Sequence, residues 1–362
     1  TVVDMGKADL EQKLQTQLAS GATDGLPDIV LIEDYNAQKY LLSFPGAFEP
    51  MTDKIDYSKF APYKVALATV DGQTYSLPFD SGVTGLFYRS DLLEQAGYKA
   101  EDLQDITWSQ MMEIGLKVKE VTGKPMFSFD VNDGGAIRIM MQSAGSWYFK
   151  DDGTANLKDN PVFKASLETW VKMLQTKDLY KPVSGWADYT GSFNNGDVAG
   201  TFTGVWMTGG IKTNNMSGKW AIAPLPKLEG VEGATHYSNL GGSSWYVLST
   251  APGKETAIDF LNSVWASDVD FYQKILVGQG AFSSYLPARE GEAYSASDDY
   301  FGGQSVWANF SDWQSKIPPV NYGLFTYETD AAIVAQLPAL VDGGSIDEAI
   351  TAIDAEVAQH IQ

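Results

Sequence analysis

The side chains in this chain best placed to do chemistry are acidic and aromatic groups set just beyond short apolar runs. Ile29-Val30-Leu31-Ile32 leads directly into Glu33-Asp34-Tyr35-Asn36. Leu77-Pro78-Phe79 ends in Asp80-Ser81, and Met126–Phe129 is followed by a loop carrying Asn132 and Asp133, with Arg138 close behind. A carboxylate in such a position accepts two ligand hydroxyls side by side. Trp206 follows Thr203-Gly204-Val205, Trp245 follows Gly241-Gly242-Ser243-Ser244, and Trp186 sits in Ser184-Gly185-Trp186-Ala187. Aromatic faces supply large, rigid contact area. The chemistry these types support is recognition of a hydroxyl-bearing ligand rather than bond making.

Each residue also has a plainer reading. Asp34 could cap the helix that follows it, and the same duality holds for Asp80 and Ser81. Asp133 and Arg138 could form a surface ion pair. Trp206 and Trp245 could be core residues, with Trp245 packed under a bend. Trp186 lies in a loop leading to a helix, where packing alone explains a large aromatic less readily.

The elements that must position these groups alternate between strand and helix. Thr1–Asp4 reads as a strand and Ala8–Ser20 as a helix. Residues 29–32 form an apolar run bounded by turn residues, as expected of a fully buried parallel strand. Its polar end then lies where ligands meet the loops of open α/β sheets. Thr107-Trp108-Ser109-Gln110 is a capping box that opens a helix. Met111, Ile114, Val118 and Val121 share one face of it, and Gly123 with Lys124-Pro125 closes it. Met126–Phe129 is the next strand. Residues 161–176, 254–266 and 346–361 carry further helical patterns, with Ile258, Leu261 and Trp265 on one core face. Alternation on this scale predicts a mainly parallel α/β fold.

The segment Asp71–Tyr98, DGQTYSLPFDSGVTGLFYRSDLLEQAGY, places a patch of small residues between two apolar runs. Such a patch lets the backbone bend and lets another chain approach closely. It resembles the first hinge crossing of the extracellular solute-binding proteins of ABC transporters, the family that includes maltose-binding protein. Leu26–Tyr35, Ser192–Trp206 (SFNNGDVAGTFTGVW), Ala223–Lys227 (APLPK), Leu240–Leu248 (LGGSSWYVL) and Gly280–Arg289 (GAFSSYLPAR) resemble further family segments, in order and over nearly the whole chain.

The resemblance implies a two-lobed, type II periplasmic-binding-protein-like α/β fold. One lobe would comprise residues 1–82 and 243–285, the other 83–242 and 286–362, with hinge strands near 80–85, 240–245 and 283–287. It implies that an interlobe cleft captures an oligosaccharide, in the manner of the lactose and arabinose binders, and delivers it to permease subunits. It places Trp206 and, by position alone, Tyr327 in that cleft. It further implies a monomer without cofactors, located outside the cell as a lipoprotein of a Gram-positive bacterium or in a periplasm. The family's usual opening strand and helix have no counterpart before Val2, and the record is expected to be truncated there. A polyamine ligand is the alternative, with Glu33, Asp34, Asp80 and Asp133 as its carboxylates.

Enzyme signatures fail on inspection. Neither a Gly-x-Ser-x-Gly elbow nor a Walker loop is present, and His236 and His360 are the only histidines. A glycosidase needs two carboxylates placed across one bond, and 46 acidic residues always offer pairs, so that count decides nothing. The net charge of −21 argues against nucleic acid, whose binding requires clustered Lys and Arg. Cysteine is absent, which removes disulfides and thiolate chemistry. Asp130–Gly134 resembles a calcium loop only superficially, because its glycine comes too early and no closing Glu follows. Thr1–Asp4 has neither the basic start nor the apolar core of a signal peptide.

Overall fold

The structure, a computed structural model, describes residues 2–150, 152–212 and 215–361. Its spine is one long strand. In chain order the strands are β1 (Ile29–Glu33), a short hairpin of β2 (Thr69–Val70) and β3 (Gln73–Thr74), β4 (Ser76–Arg89), β5 (Phe127–Phe129), β6 (Tyr180–Pro182), β7 (Gly200–Gly204), β8 (Trp220–Ala223) and β9 (Asn239–Val247). The first half of β4 pairs with β9, which in turn pairs with β1, whereas the second half pairs with β7 and β8. One strand therefore serves two lobes, and the chain changes lobe in its middle.

Three segments lie side by side where it does so. Ser81 opposes Gly242, and Asp80 opposes both Ser243 and Ser283. The Ser81 amide donates to the Phe282 carbonyl at 2.8 Å, and the Ser284 amide to that of Phe79 at 2.9 Å. This proximity explains the small residues. A Cβ on Gly82 would lie 2.0 Å from the Leu240 carbonyl oxygen, and Gly241 and Gly242 adopt φ of +79° and +94°, conformations that side chains resist.

The pairing differs from expectation in one respect. The five-stranded sheet is antiparallel at every pairing, and β5–β6 is the parallel pair. Strands β1 and β4 do run the same way, but β9 returns from the other lobe and inserts between them. Alternation of strand and helix fixes strand direction, not which strand becomes the neighbour. The burial of β1 accordingly alternates instead of being complete. Val2–Asp4 is irregular instead of a strand, and Thr1 lies outside the described residues.

The first-lobe helices α1 (Lys7–Ser20), α2 (Asp34–Ser43) and α3 (Pro62–Leu67) flank β1. Val30, Ile32, Tyr40, Leu41 and Tyr246 form a core on that side. Helices α4 (Ser90–Gln95), α5 (Trp108–Thr122), α6 (Gly135–Ser143) and α7 (Pro161–Gln175) pack in a second core around Trp108 and Phe127, whereas α8 (Gly185–Asn194) and α9 (Met207–Ile211) send Phe193, Met207 and Ile211 into a third core beneath β4. In α5 the capping box forms as expected, the Gln110 amide donating to Thr107 Oγ1 and the Thr107 amide to Gln110 Oε1. Met111, Ile114 and Val118 are buried, but Val121 is exposed. Helices α10 (Lys254–Trp265), α11 (Val269–Gln279), α12 (Glu292–Ser295) and α13 (Val306–Gln314) cover a core that runs beneath both halves of β4, from Leu77 to Phe87. Helices α14 (Thr326–Val341) and α15 (Ile346–Ile361) pack on the Trp108 and Phe127 core through Ile333 and Ile353. None of the described helices is long and apolar enough to cross a membrane.

Candidate functional site

A cavity of about 290 Å³ opens at the carboxyl ends of β5 and β7. This is close to the lower end of the ~300–1,000 Å³ typical of small-molecule sites. Its floor is aromatic, with Phe129, Trp170 and Phe202, and its polar groups come from Asp130, Asp133, Tyr189, Thr201 and Thr203. Trp186 and Trp206 stand over it with ring centroids 5.7 Å apart.

Local structure fixes both rings. The indole N–H of Trp206 donates to the Leu240 carbonyl at 3.0 Å. A Cβ on Gly204 would come within 2.1 Å of that same nitrogen, so only glycine lets the ring fold back. Trp186 lies in the first turn of α8, not in the preceding loop, and is 60% exposed. Asp130 holds that turn, since its Oδ2 accepts the Gly185 amide at 2.7 Å while Oδ1 accepts the Asn132 amide at 3.0 Å. Partial burial works against the Asp130 charge, but those amides hold its carboxyl below the ordinary range.

The fourteen residues singled out from the sequence separate into groups. Asp133, Trp186 and Trp206 line the cavity, with Gly204 beneath Trp206. Asn132 is exposed on the loop and is bonded to Asp130.

A second group, Glu33, Tyr35, Arg138 and Tyr327, meets across the lobes. Tyr35 is 1% exposed, stacked on Trp147 at 5.7 Å and close to Tyr322 at 4.6 Å, with the Arg138 guanidinium 4.7 Å above its ring. Tyr327 donates its hydroxyl to Glu33, and its ring meets Tyr35 edge-on. Burial works against the Arg138 charge, but Asp330 at 3.0 Å and Asp133 at 3.4 Å stabilise it. Burial pushes Asp330 up to about 6, with Arg138 and the Tyr148 hydroxyl pulling the other way.

A third group builds the hinge. Asp34 is buried in an ion pair with Lys64, which also donates to the Ser243 carbonyl at 2.9 Å. Burial pushes Asp34 up to about 6 despite that cation. Asp80 accepts the Ser243 amide at 2.7 Å and is raised by burial. Ser81 shares a 2.6 Å hydrogen bond with Tyr63, and a Cβ on Gly242 would press on Asp34 at 2.8 Å. The acceptors of Asp34 and Ser81 are thus taken by protein partners. Asp34 opens α2 as its first helical residue, and the helix has no side-chain cap. Trp245 belongs to an aromatic stack with Phe79 and Trp265 of α10, 5.7 and 5.3 Å away, against the core beneath β4.

The reading from sequence missed Lys64, Trp147, Tyr322 and Asp330, as well as the polar lining at Tyr189, Thr201 and Thr203. Asp130 stood in the quoted loop and was legible there as a residue ending a strand.

Two lobes joined by adjacent crossings, with a small aromatic cavity by the junction, define a two-lobed binding protein of the periplasmic-binding-protein kind. The chain matches the bacterial extracellular solute-binding proteins over residues 1–300, and it belongs to that family. It is 57% identical over 362 residues to a lactose-binding protein from Rhizobium radiobacter, covering 100% of this chain and 85% of that one. It is 29% identical to an arabinooligosaccharide-binding protein from Bacillus subtilis (strain 168) over 70% of this chain and 58% of that one. Among solved structures, the ABC transporter associated binding protein of B. animalis subsp. lactis Bl-04, in complex with β-1,6-galactobiose, superposes with a TM-score of 0.80. It is 25% identical and covers 98% of this chain and 89% of that one.

Proposed function

We propose that the protein captures a short galactose-containing oligosaccharide, of about disaccharide size, and presents it to the membrane subunits of an ABC importer. The observation that carries this reading is the Trp186–Trp206 pair over an aromatic floor with carboxylates and hydroxyls at its edge. Sugar rings offer apolar faces to indoles and hydroxyls to carboxylates, which is how small-molecule sites combine contact area with orientation. The kinship with a lactose-binding protein supports the choice of sugar.

The fold supports capture by hinge closure, with lobes divided at residues 80–85, 240–245 and 283–287. The cavity is lined by residues 128–206 and Leu240, so a sugar held there favours the closed form only by reaching the first lobe as well. The function needs no bond chemistry, and the protein acts as a receptor, not an enzyme. It works outside the cytoplasmic membrane as a monomer, free in a periplasm or held there by a lipid anchor. A polyamine is disfavoured because the carboxylates it would need are engaged. Asp34 is paired with Lys64, Glu33 with Tyr327, Asp80 with an amide and Asp133 with Arg138.

Titration calorimetry against lactose, β-1,6-galactobiose, an arabino-oligosaccharide and spermidine tests the reading. One-to-one binding of a galactoside, recovered unchanged, is expected. Binding of spermidine alone, or release of monosaccharide, refutes it.

A further inference from the structure

We propose that Asp130 is a positioning residue, which sets where the Trp186 ring stands over the cavity by capping the helix that carries it, and that direct contact with the ligand falls to Asp133. Asp130 stands one residue beyond β5, and Trp186 is the second residue of α8. The start of α8 lacks a cap of its own, because the Ser184 side chain makes no hydrogen bond to it. The acceptor comes instead from Asp130, whose Oδ2 takes the Gly185 amide at 2.7 Å across 55 residues of chain. The positive end of the helix dipole favours a carboxylate there. Gly185 adopts φ of +73°, the left-handed conformation in which the chain leaves β6 and enters the helix. Just before it, the Val183 amide donates to the Phe129 carbonyl at 3.1 Å. The entry to α8 is thus registered on the end of β5 by two hydrogen bonds, and Asp130 makes the one beside the indole.

The two rings over the cavity are held by different means. Trp206 is fixed by its own indole N–H on the Leu240 carbonyl. The Trp186 ring is 60% exposed and rests on Tyr189 and Trp206, with centroids 6.0 and 5.7 Å away. Apolar contact of this kind is non-directional, so the backbone turn that carries the indole decides where it stands. The two cavity carboxylates are likewise used differently. Asp130 Oδ1 accepts the Asn132 amide at 3.0 Å and the Asn132 side chain at 3.1 Å. With Oδ2 on Gly185, three of the roughly four acceptor sites of Asp130 are taken. Among the described residues, the hydrogen bonds to Asp133 fall on Oδ1, from the Gly135 amide at 2.9 Å and Arg138 at 3.4 Å, which leaves Oδ2 for a ligand hydroxyl. The consequence for affinity rests on the reading of the cavity as a sugar site, whereas the placement of the ring does not.

Two indoles 5.7 Å apart couple their electronic transitions, so the circular dichroism of the sugar-free protein carries a signal from the pair, assigned by difference against Trp186→Phe. Asp130→Asn keeps the side-chain volume but removes one acceptor oxygen. It should diminish that signal without sugar, while lowering the thermal midpoint by no more than about 2 °C. Lactose binding in calorimetry should weaken about five-fold, the size of a lost helix cap. In a Trp186→Ala background the same substitution should leave lactose affinity unchanged, since a residue that acts through the indole then has nothing to position. Asp133→Asn should weaken binding in both backgrounds and leave the dichroic signal intact. A signal unmoved by Asp130→Asn overturns the positioning role. An equal loss of affinity with and without the Trp186 indole also overturns it, and makes Asp130 a direct ligand contact. Failure to bind lactose in every variant, the unaltered protein included, overturns the sugar reading and leaves the dichroism to decide the role of Asp130.

Discussion

Removing the cation from the buried Asp34–Lys64 pair should produce a stability defect that depends on pH in a calculable way. Both side chains are essentially inaccessible, at 1% and 0%. Lys64→Met keeps the volume and deletes the charge. Asp34 then retains the Ser244 hydroxyl, which donates to it at 3.3 Å. A buried carboxylate stripped of its counter-ion moves to still higher pKa. The sign follows from linkage. The folded carboxyl of the natural protein titrates at about 6, above the ordinary 3.8. Its contribution to stability is therefore fully present below the ordinary value and is lost as pH rises through about 6.

In the variant that loss continues to higher pH, so the two stability curves part above the natural protein's value. Each further pH unit adds about 1.4 kcal/mol, which gives a gap of roughly 3 kcal/mol between pH 6 and pH 8. Urea unfolding followed by circular dichroism at pH 5 and pH 8 measures the difference. Adding Asp34→Asn to Lys64→Met should flatten it. A defect of equal size at both pH values would mean that Lys64 contributes packing alone, and would refute the electrostatic account.

Three other outcomes are expected. Trp206→Ala should weaken galactoside binding by about 2 kcal/mol, roughly thirty-fold in calorimetry, through lost ring area and stacking. An unchanged affinity would remove Trp206 from the site. Gly82→Ala drives a Cβ to within 2.0 Å of the Leu240 carbonyl and should destabilise the hinge by about 1–3 kcal/mol, the cost of overpacking, in denaturant titration. The Asp330 carboxyl should titrate near 6 in carbon-detected NMR, raised by burial against the pull of Arg138. A midpoint at the ordinary value would show that the pocket around it is wet.

What was legible in the sequence is what depends on neighbours along the chain. The Thr107–Gln110 box and the left-handed Gly123 that ends α5 both formed. The small residues of the first crossing marked a real close approach, because a backbone bend must be written locally. The groups around Tyr35 were not legible in this way. That Tyr35 would be covered by Trp147 and Tyr322, or Asp34 by Lys64, depends on which segments the hinge brings together. The same reason explains β9 between β1 and β4, since a returning strand leaves no periodic mark of its neighbour. Trp245 shows the limit for single residues. A tryptophan after a glycine pair reads alike whether it turns toward the cavity or toward Phe79 and Trp265.

The cavity draws its lining from residues 128–206 together with Leu240, whereas Glu33, Tyr35 and Tyr327 meet across the junction. Arg138 touches both groups, because it contacts Asp133 at the cavity and caps the Tyr35 ring. If the two groups act independently, the losses in galactoside affinity on Trp206→Ala and Tyr327→Phe should add to within about 0.5 kcal/mol, the usual scatter for independent sites. A coupling well above that scatter would show that the cavity and the Tyr35 group act as one site. Loss of that excess when Arg138→Lys is added would locate the coupling in that guanidinium.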